Sequence, residues 1–256
     1  MKLITSKDNP RLKTIRRLAQ DSQAYRKLGL VWIEGDHLCR AALARSIQPE
    51  LAIYSESIWQ ASQFEWAHCA SEVWVVPDDL FASLSALESP AKMGFLMNLP
   101  HARAIDPLAT TVVLDRLQDA GNVGAILRCA SAFGFQQVLA IKGTAGLWSP
   151  KVLRAGMGAH FGLNLIDMAS LEDIQKLKVP LLGTDVHEGP YLHQLVQQKK
   201  LPRQCAWVMG HEGQGVSSEL MALVQQKVRI AQPGGEESLN VATAAAICFH
   251  ASATVD

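Results

Sequence analysis

The sequence predicts an α/β protein: a C-terminal half on a mostly parallel sheet with helices on both faces, preceded by a smaller α/β domain. Three observations carry this. Apolar runs of strand length recur along the chain, and amphipathic stretches of helix length fall between them. A proline-bracketed segment, Leu99-Pro100-His101-Ala102-Arg103-Ala104-Ile105-Asp106-Pro107, divides the pattern. The expected organisation is one domain over 1–98, a linker over 99–108 and a second domain over 109–256, each long enough to bury a core.

In the first domain Asn9-Pro10 opens an amphipathic basic helix toward Gln20, with Leu12, Ile15 and Leu18 on one side. Strands are expected at Leu30–Ile33, Leu51–Tyr54, Val73–Val76 and Gly94–Leu99, and helices at Asp36–Arg45, Ile58–Cys69 and Asp78–Leu87. In the second domain strands are expected at Thr111–Leu114, Gln137–Ile141, Asn164–Ile166, Leu181–Thr184, Cys205–Met209 and Lys227–Ile230. The helices between and after them are expected at Asn122–Phe133, Pro150–Met157, Leu171–Lys176, Tyr191–Gln197, Ser217–Val224 and Ser238–Ala251.

The charge balance is even, 24 Lys and Arg against 24 Asp and Glu, so a uniformly basic nucleic-acid binder is excluded. The charges are nevertheless segregated. Lys2, Lys7, Arg11, Lys13, Arg16, Arg17, Arg26 and Lys27 crowd the first thirty residues, and the stretch from Glu34 to Glu88 is mostly acidic. Arg11, Arg16, Arg17 and Arg26 are candidate phosphate contacts, although a solvated helix face explains the same cluster. Cys39, Cys69, Cys129, Cys205 and Cys248 are scattered, with no paired spacing, so neither a disulfide framework nor a metal site is expected. The opening MKLITSKDNP lacks the apolar core of a signal peptide, and the stretch Val241–Phe249 is too short to span a bilayer. A reduced, cytoplasmic setting without membrane partners is the expectation.

Ligands of parallel sheets sit beyond the carboxyl ends of the strands, which directs attention to three loops. The first runs from Asp115 to Gly124 and opens the helix carrying Arg128. Asn122 is expected to cap that helix, and Arg128 falls off its apolar stripe. The second is Gly210-His211-Glu212-Gly213-Gln214-Gly215, whose glycines permit close backbone approach and whose spacing fits no phosphate-cradling motif. The third is Ala231-Gln232-Pro233-Gly234-Gly235-Glu236-Glu237-Ser238-Leu239-Asn240. Ser238 is expected as the cap of the last helix, with Asn240 in its first turn. Each loop alone is an ordinary turn before an ordinary helix.

Taken in order, N-x5-R, then G-x-E-x-x-G, then P-x-x-x-x-S-L-N-V, the three loops resemble the signature motifs of the SpoU/TrmH-type SPOUT methyltransferases. Ser149-Pro150-Lys151-Val152-Leu153-Arg154 and Gly158-Ala159 fit the same pattern. Ile4-Thr5-Ser6, Asn9-Pro10 and Trp32-Ile33-Glu34-Gly35 resemble the substrate-binding domain, related to ribosomal protein L30e, that many of these enzymes carry. Ala120 departs from a usual proline, Ala125 and Ala242 from hydroxyl residues and Gly156 from serine, while Asn122, Arg128, Glu212, Ser238 and Asn240 are retained.

The resemblance implies a sheet threaded as a deep trefoil knot, a homodimer, and S-adenosylmethionine-dependent methylation of a ribose 2′-hydroxyl in RNA. Ribosomal RNA is favoured over transfer RNA. It implies catalytic roles for Arg128, Asn122, Glu212, Ser238 and Asn240. Cofactor contacts are implied at Thr184, Asp185, Met209, Gly210, Glu212, Gly213, Ile230 and Leu239, and RNA contacts extend to Lys151 and Arg154. No metal is implied. Two other readings stay open on sequence: a nucleotide-dependent α/β enzyme using the Gly210–Gly215 loop, and an RNA-binding protein without catalysis.

Overall fold

A computed structural model describes residues 1–87, 89–234 and 238–255, with the side chains of all but 63–65. The chain forms two compact units, Met1–His101 with Trp148–Phe161, and Ala102–Leu147 with Gly162–Asp256.

The first unit opens with β1 (Lys2–Leu3), α1 (Pro10–Gln20), α2 (Ala24–Leu28), β2 (Leu30–Glu34) and α3 (Asp36–Ala44). It continues through β3 (Leu51–Ser55), α4 (Glu56–Trp66), β4 (Glu72–Val76), α5 (Asp78–Ala82) and β5 (Met93–Asn98). Asn9 caps α1, its side chain accepting from Arg11 N at 2.9 Å and Leu12 N at 3.4 Å, and Pro10 supplies the pre-set first turn. Leu12, Ile15 and Leu18 are buried, as their spacing requires. The sheet order is β1-β4-β3-β5-β2, parallel except where β5 pairs antiparallel with β3 and β2. β1 and α2 carry too few residues for periodicity to reveal. The helix expected at 78–87 stops at Ala82, where the Ser83 hydroxyl turns back to the Leu80 carbonyl at 2.7 Å.

The remaining elements are β6 (Thr111–Leu114), α6 (Ala120–Ala132), β7 (Gln137–Ile141), α7 (Pro150–Gly156), β8 (Asn164–Ala169), α8 (Leu171–Gln175) and β9 (Leu181–Thr184). They are followed by α9 (Leu192–Gln197), β10 (Ala206–Met209), α10 (Ser218–Met221), β11 (Gln226–Val228) and α11 (Val241–Thr254). α7 belongs to the first unit, although the linear division at 108 put it in the second domain. The second unit's sheet is parallel throughout, in the order β11-β9-β10-β6-β7-β8. β6 and β10 are buried along their whole length, which is why they read as unbroken apolar runs. The latter part of the expected linker is fastened to this unit. Asn164 Oδ1 accepts from Arg103 N at 2.8 Å, and Gln137 Nε2 donates to the Asp106 carbonyl at 2.8 Å.

α11 packs on α6 and on β10. Its Ser252 hydroxyl accepts from the Trp207 indole at 2.9 Å, and Phe249 meets Phe135 at 4.5 Å between ring centres. None of the helices is long and apolar enough to cross a membrane, among the described residues.

Candidate active site

Because the second sheet is parallel, the carboxyl ends of β6, β10, β9 and β11 lie along one edge. Met209 pairs with Leu114 and Thr184 with Val228, so the loops that follow them are neighbours. Side-chain hydrogen bonds join three of these loops. Glu212, from the loop after β10, accepts from Asp119 N at 3.1 Å and Gln118 N at 3.3 Å. It also accepts from the Asn122 amide at 3.2 Å. The Asn122 carbonyl oxygen in turn accepts from Asn240 Nδ2 at 2.9 Å. Partial burial pushes the Glu212 carboxyl up. Hydrogen bonds from its own N–H, from Asn122 and from Gln118 and Asp119 outweigh that and hold it below the ordinary glutamate value.

Two capping expectations are corrected. Asp119, not Asn122, caps α6, its Oδ1 accepting from Asn122 N at 2.7 Å. This frees the Asn122 side chain to bridge Glu212 and Asn240. Asn240, not Ser238, caps α11, its Oδ1 accepting from Ala242 N at 2.9 Å and Thr243 N at 3.2 Å. Cap and bridge are opposite ends of one amide: the oxygen serves the helix and the nitrogen reaches Asn122. Ser238 is exposed beside the cap. Gly235, Glu236 and Glu237 of that loop lie outside the described residues.

The second loop folds back on itself. His211 N donates to Gly215 O and Gly215 N to His211 O, both at 2.9 Å, and the His211 ring accepts from Gly213 N at 3.0 Å. A Cβ on Gly210 would stand 2.3 Å from Gly215 C and Val216 N, so only glycine closes this turn.

The remaining expected residues are distributed as follows. Met209 and Gly210 are buried at the end of β10, Thr184 and Ile230 are half-buried, and Gly213 and Leu239 are exposed. Asp185 is committed to its own loop, where Oδ1 accepts from His187 N at 2.8 Å and Glu188 N at 3.0 Å and Oδ2 faces Lys227 at 3.5 Å. Arg128 is exposed on α6 and has no hydrogen bond or ion pair among the described residues, so it stands apart from the network. Asp115 went unread as a site residue. It is 1% exposed and links the first two loops, accepting from Ser217 N at 2.6 Å and Arg116 Nε at 2.9 Å. Its signal was an acid directly after an apolar strand.

For the cofactor that the motifs imply, the edge offers backbone groups, hydroxyls and amides, with its charged groups Asp115, Arg116, Asp185, Lys227 and Glu212 engaged in hydrogen bonds or ion pairs of their own. Gln232 Oε1, in the third loop, is buried with no hydrogen-bond partner among the described residues, an acceptor suited to an amino or hydroxyl donor of a nucleoside. The residues therefore fit an adenosine-bearing ligand. Among the described residues no group of His, Cys, Asp and Glu is arranged to hold a metal ion.

In the first unit the basic cluster is only partly free. Arg11, expected as an RNA contact, is engaged within the fold: its guanidinium binds Glu72 Oε2 at 2.6 Å and Glu50, and lies 5.7 Å from the Trp74 ring centre. Arg16 donates to Ser83 O at 3.3 Å and Lys7 O at 3.0 Å and so ties the helix down. Arg26 bonds Gln23 and covers the Tyr25 ring at 5.2 Å. Arg17 and Lys151 are exposed, and Arg154 is half-buried in a recess shared with Trp32 and Glu34.

Residues 109–250 match the model of the SpoU rRNA Methylase family, and residues 9–94 match the MRM3-like substrate binding domain. The 23S rRNA (guanosine(2553)-2′-O)-methyltransferase RlmP of Bacillus subtilis is 28% identical over 257 residues, covering 98% of each chain. The solved structure of a TrmH-family protein from Porphyromonas gingivalis superposes with a TM-score of 0.82 at 28% identity, covering 96% of this chain and 97% of that one. The AdoMet-bound rRNA methyltransferase from Sinorhizobium meliloti shares the fold, with a TM-score of 0.81 at 24% identity over 98% and 96% of the two chains.

Proposed function

The chain belongs to the SpoU rRNA methylase family, and on that premise we propose that it methylates a ribose 2′-hydroxyl of ribosomal RNA with S-adenosylmethionine as donor. The observation that carries this reading is the Glu212–Asn122–Asn240 bridge, which holds three loops together at the carboxyl edge of the parallel sheet. Guanosine in large-subunit rRNA is the first nucleoside to test, since that is the substrate in the name of the B. subtilis relative.

Methyl transfer is an in-line displacement that needs two reactants held in line. The cofactor, when bound, supplies an electrophilic methyl on a sulfonium whose departure leaves a neutral thioether. Thr184, Met209, Gly210, Ile230, Leu239 and Gln232 would hold it. Glu212, Asn122 and Asn240 fix the loops, and Ser238 lies beside them to meet the ribose. Arg128 clamps the phosphate next to the reacting hydroxyl and offsets the negative charge that develops on its oxygen, while the hydroxyl proton passes to solvent water as the oxygen takes the methyl. A guanidinium is suited to that role and poorly suited to giving up its own proton.

The final helix is taken to thread through the knot, and the active form is taken to be a homodimer. α11 is mostly apolar, its Val, Ala, Ile, Cys and Phe residues broken by Thr243, His250, Ser252 and Thr254. Ile247 on it is 39% exposed, and α6, on which it packs, carries the exposed Arg128. A second copy over this face would bring a further surface to Arg128. The site of action is the cytoplasm, where ribosomes assemble. Titrating the full chain with S-adenosylhomocysteine in a calorimeter tests the reading: saturable binding is expected, and binding of NADH instead would favour a nucleotide-dependent enzyme.

A further inference from the structure

Arg116 stands at the carboxyl end of β6 with φ at 59°, a left-handed conformation in which a Cβ is disfavoured and glycine would relieve the strain. Its surroundings hold it there. Arg116 Nε donates to Asp115 Oδ1 at 2.9 Å, and the other oxygen of that buried carboxylate accepts from Ser217 N at 2.6 Å. On the opposite side Ala145 N donates to Leu117 O at 2.7 Å and the Thr144 hydroxyl to Leu114 O at 3.1 Å. The Arg116 stem lies over Gly143, where a Cβ would come within 3.3 Å of its Cγ. Two residues on, Gln118 N enters the Glu212 bridge.

The guanidinium is thus anchored through Nε alone. Its terminal Nη1 and Nη2 have no partner among the described residues, and the side chain is 37% exposed. A planar fork with its inner edge fixed and its two-pronged edge free matches the oxygens of a phosphodiester. Strain kept at the rim of a site, where glycine would be easier, indicates that the side chain is needed there. We propose that Arg116 binds a backbone phosphate of the substrate RNA and that Asp115 is its positioning residue. This rests on the RNA methyltransferase reading above.

The test uses the full-length protein, unmodified 23S rRNA transcribed in vitro, and S-adenosylhomocysteine. Arg116→Gly should keep or raise the melting temperature, leave S-adenosylhomocysteine affinity unchanged, and weaken RNA affinity about tenfold. The slope of log affinity against log salt should fall by about one, as for one lost phosphate contact. Arg116→Lys, which keeps the charge and backbone strain but loses the fork, should fall between the two and guards against misfolding of the glycine variant. Asp115→Asn should copy the RNA defect with a smaller salt effect, because the cation stays but loses its anchor. Unchanged RNA affinity and salt slope in both Arg116 variants would overturn the proposal. So would a loss of S-adenosylhomocysteine affinity with RNA binding intact, which would mean that Arg116 holds the cofactor's carboxylate. If the unaltered protein binds neither RNA nor S-adenosylhomocysteine, the parent reading fails first.

Discussion

Asn240 Nδ2 donates to Asn122 Oδ1 at 2.9 Å across 118 residues of sequence, while the other end of the Asn240 amide caps the last helix. Asn240→Asp separates these duties. The aspartate still accepts from Ala242 N and Thr243 N and suits the positive end of the helix. It has no proton to give Asn122, so two oxygens face each other. Melting temperature should hold or rise while methyl transfer falls by about tenfold, the upper end of the scale for one lost hydrogen bond between neutral groups. Asn240→Ala loses both duties and should also cost about 1 kcal/mol of stability, the usual worth of a cap.

Glu212→Gln probes the other end of the bridge. Glutamine presents one oxygen where the carboxylate presents two, so Asn122, Asp119 and Gln118 cannot all be satisfied. The pH dependence has a definite sign. Glu212 is depressed in the folded state, so its contribution is complete above the unfolded glutamate value of about 4.3 and is lost as pH falls through the lower folded value. Stability curves of the wild type and Glu212→Gln should converge in that acid window and run parallel from pH 6 to 9.

Gly210→Ala should break the second loop. The added Cβ meets backbone at 2.3 Å with no flexible side chain to yield, so a loss of about 1–3 kcal/mol is expected. Affinity for S-adenosylhomocysteine should fall with it.

Arg128→Ala should leave melting temperature and cofactor affinity unchanged, because the side chain is exposed on α6. The rate should drop by about two orders of magnitude, the scale of one lost transition-state donor. If Arg128→Lys instead recovers to wild-type rate as pH rises, the residue acts as a base and the clamp is wrong.

Much of the architecture was legible because parallel strands buried on both faces read as apolar runs. Gln137–Ile141 and Leu181–Thr184 came out residue for residue. The two capping misreadings share one cause. Asn122 and Ser238 are good capping residues, and so are Asp119 and Asn240 close by. Spacing cannot choose between adjacent polar side chains when the winner is set by a partner ninety or more residues away. Arg11 illustrates the same limit, since its charge reads as free until Glu50 and Glu72 are brought beside it by the sheet. Acid should expose that cluster. Lys2 first, then the Trp74 indole, with Arg11 beside them, hold Glu72 down at about 2, so the stability it lends the first unit should be complete above the unfolded glutamate value of about 4.3 and be lost progressively toward pH 2.

If the three bridged loops serve ribose 2′-O-methylation of rRNA, the purified protein will transfer label from isotope-labelled S-adenosylmethionine to unmodified 23S rRNA, read by digestion to nucleosides and mass spectrometry. A labelled 2′-O-methylnucleoside at one position, formed about a hundredfold more slowly by Arg128→Ala, is expected. Label on a base instead of the ribose, or no label with a folded protein that binds the cofactor, would rule out ribose 2′-O-methylation by these loops.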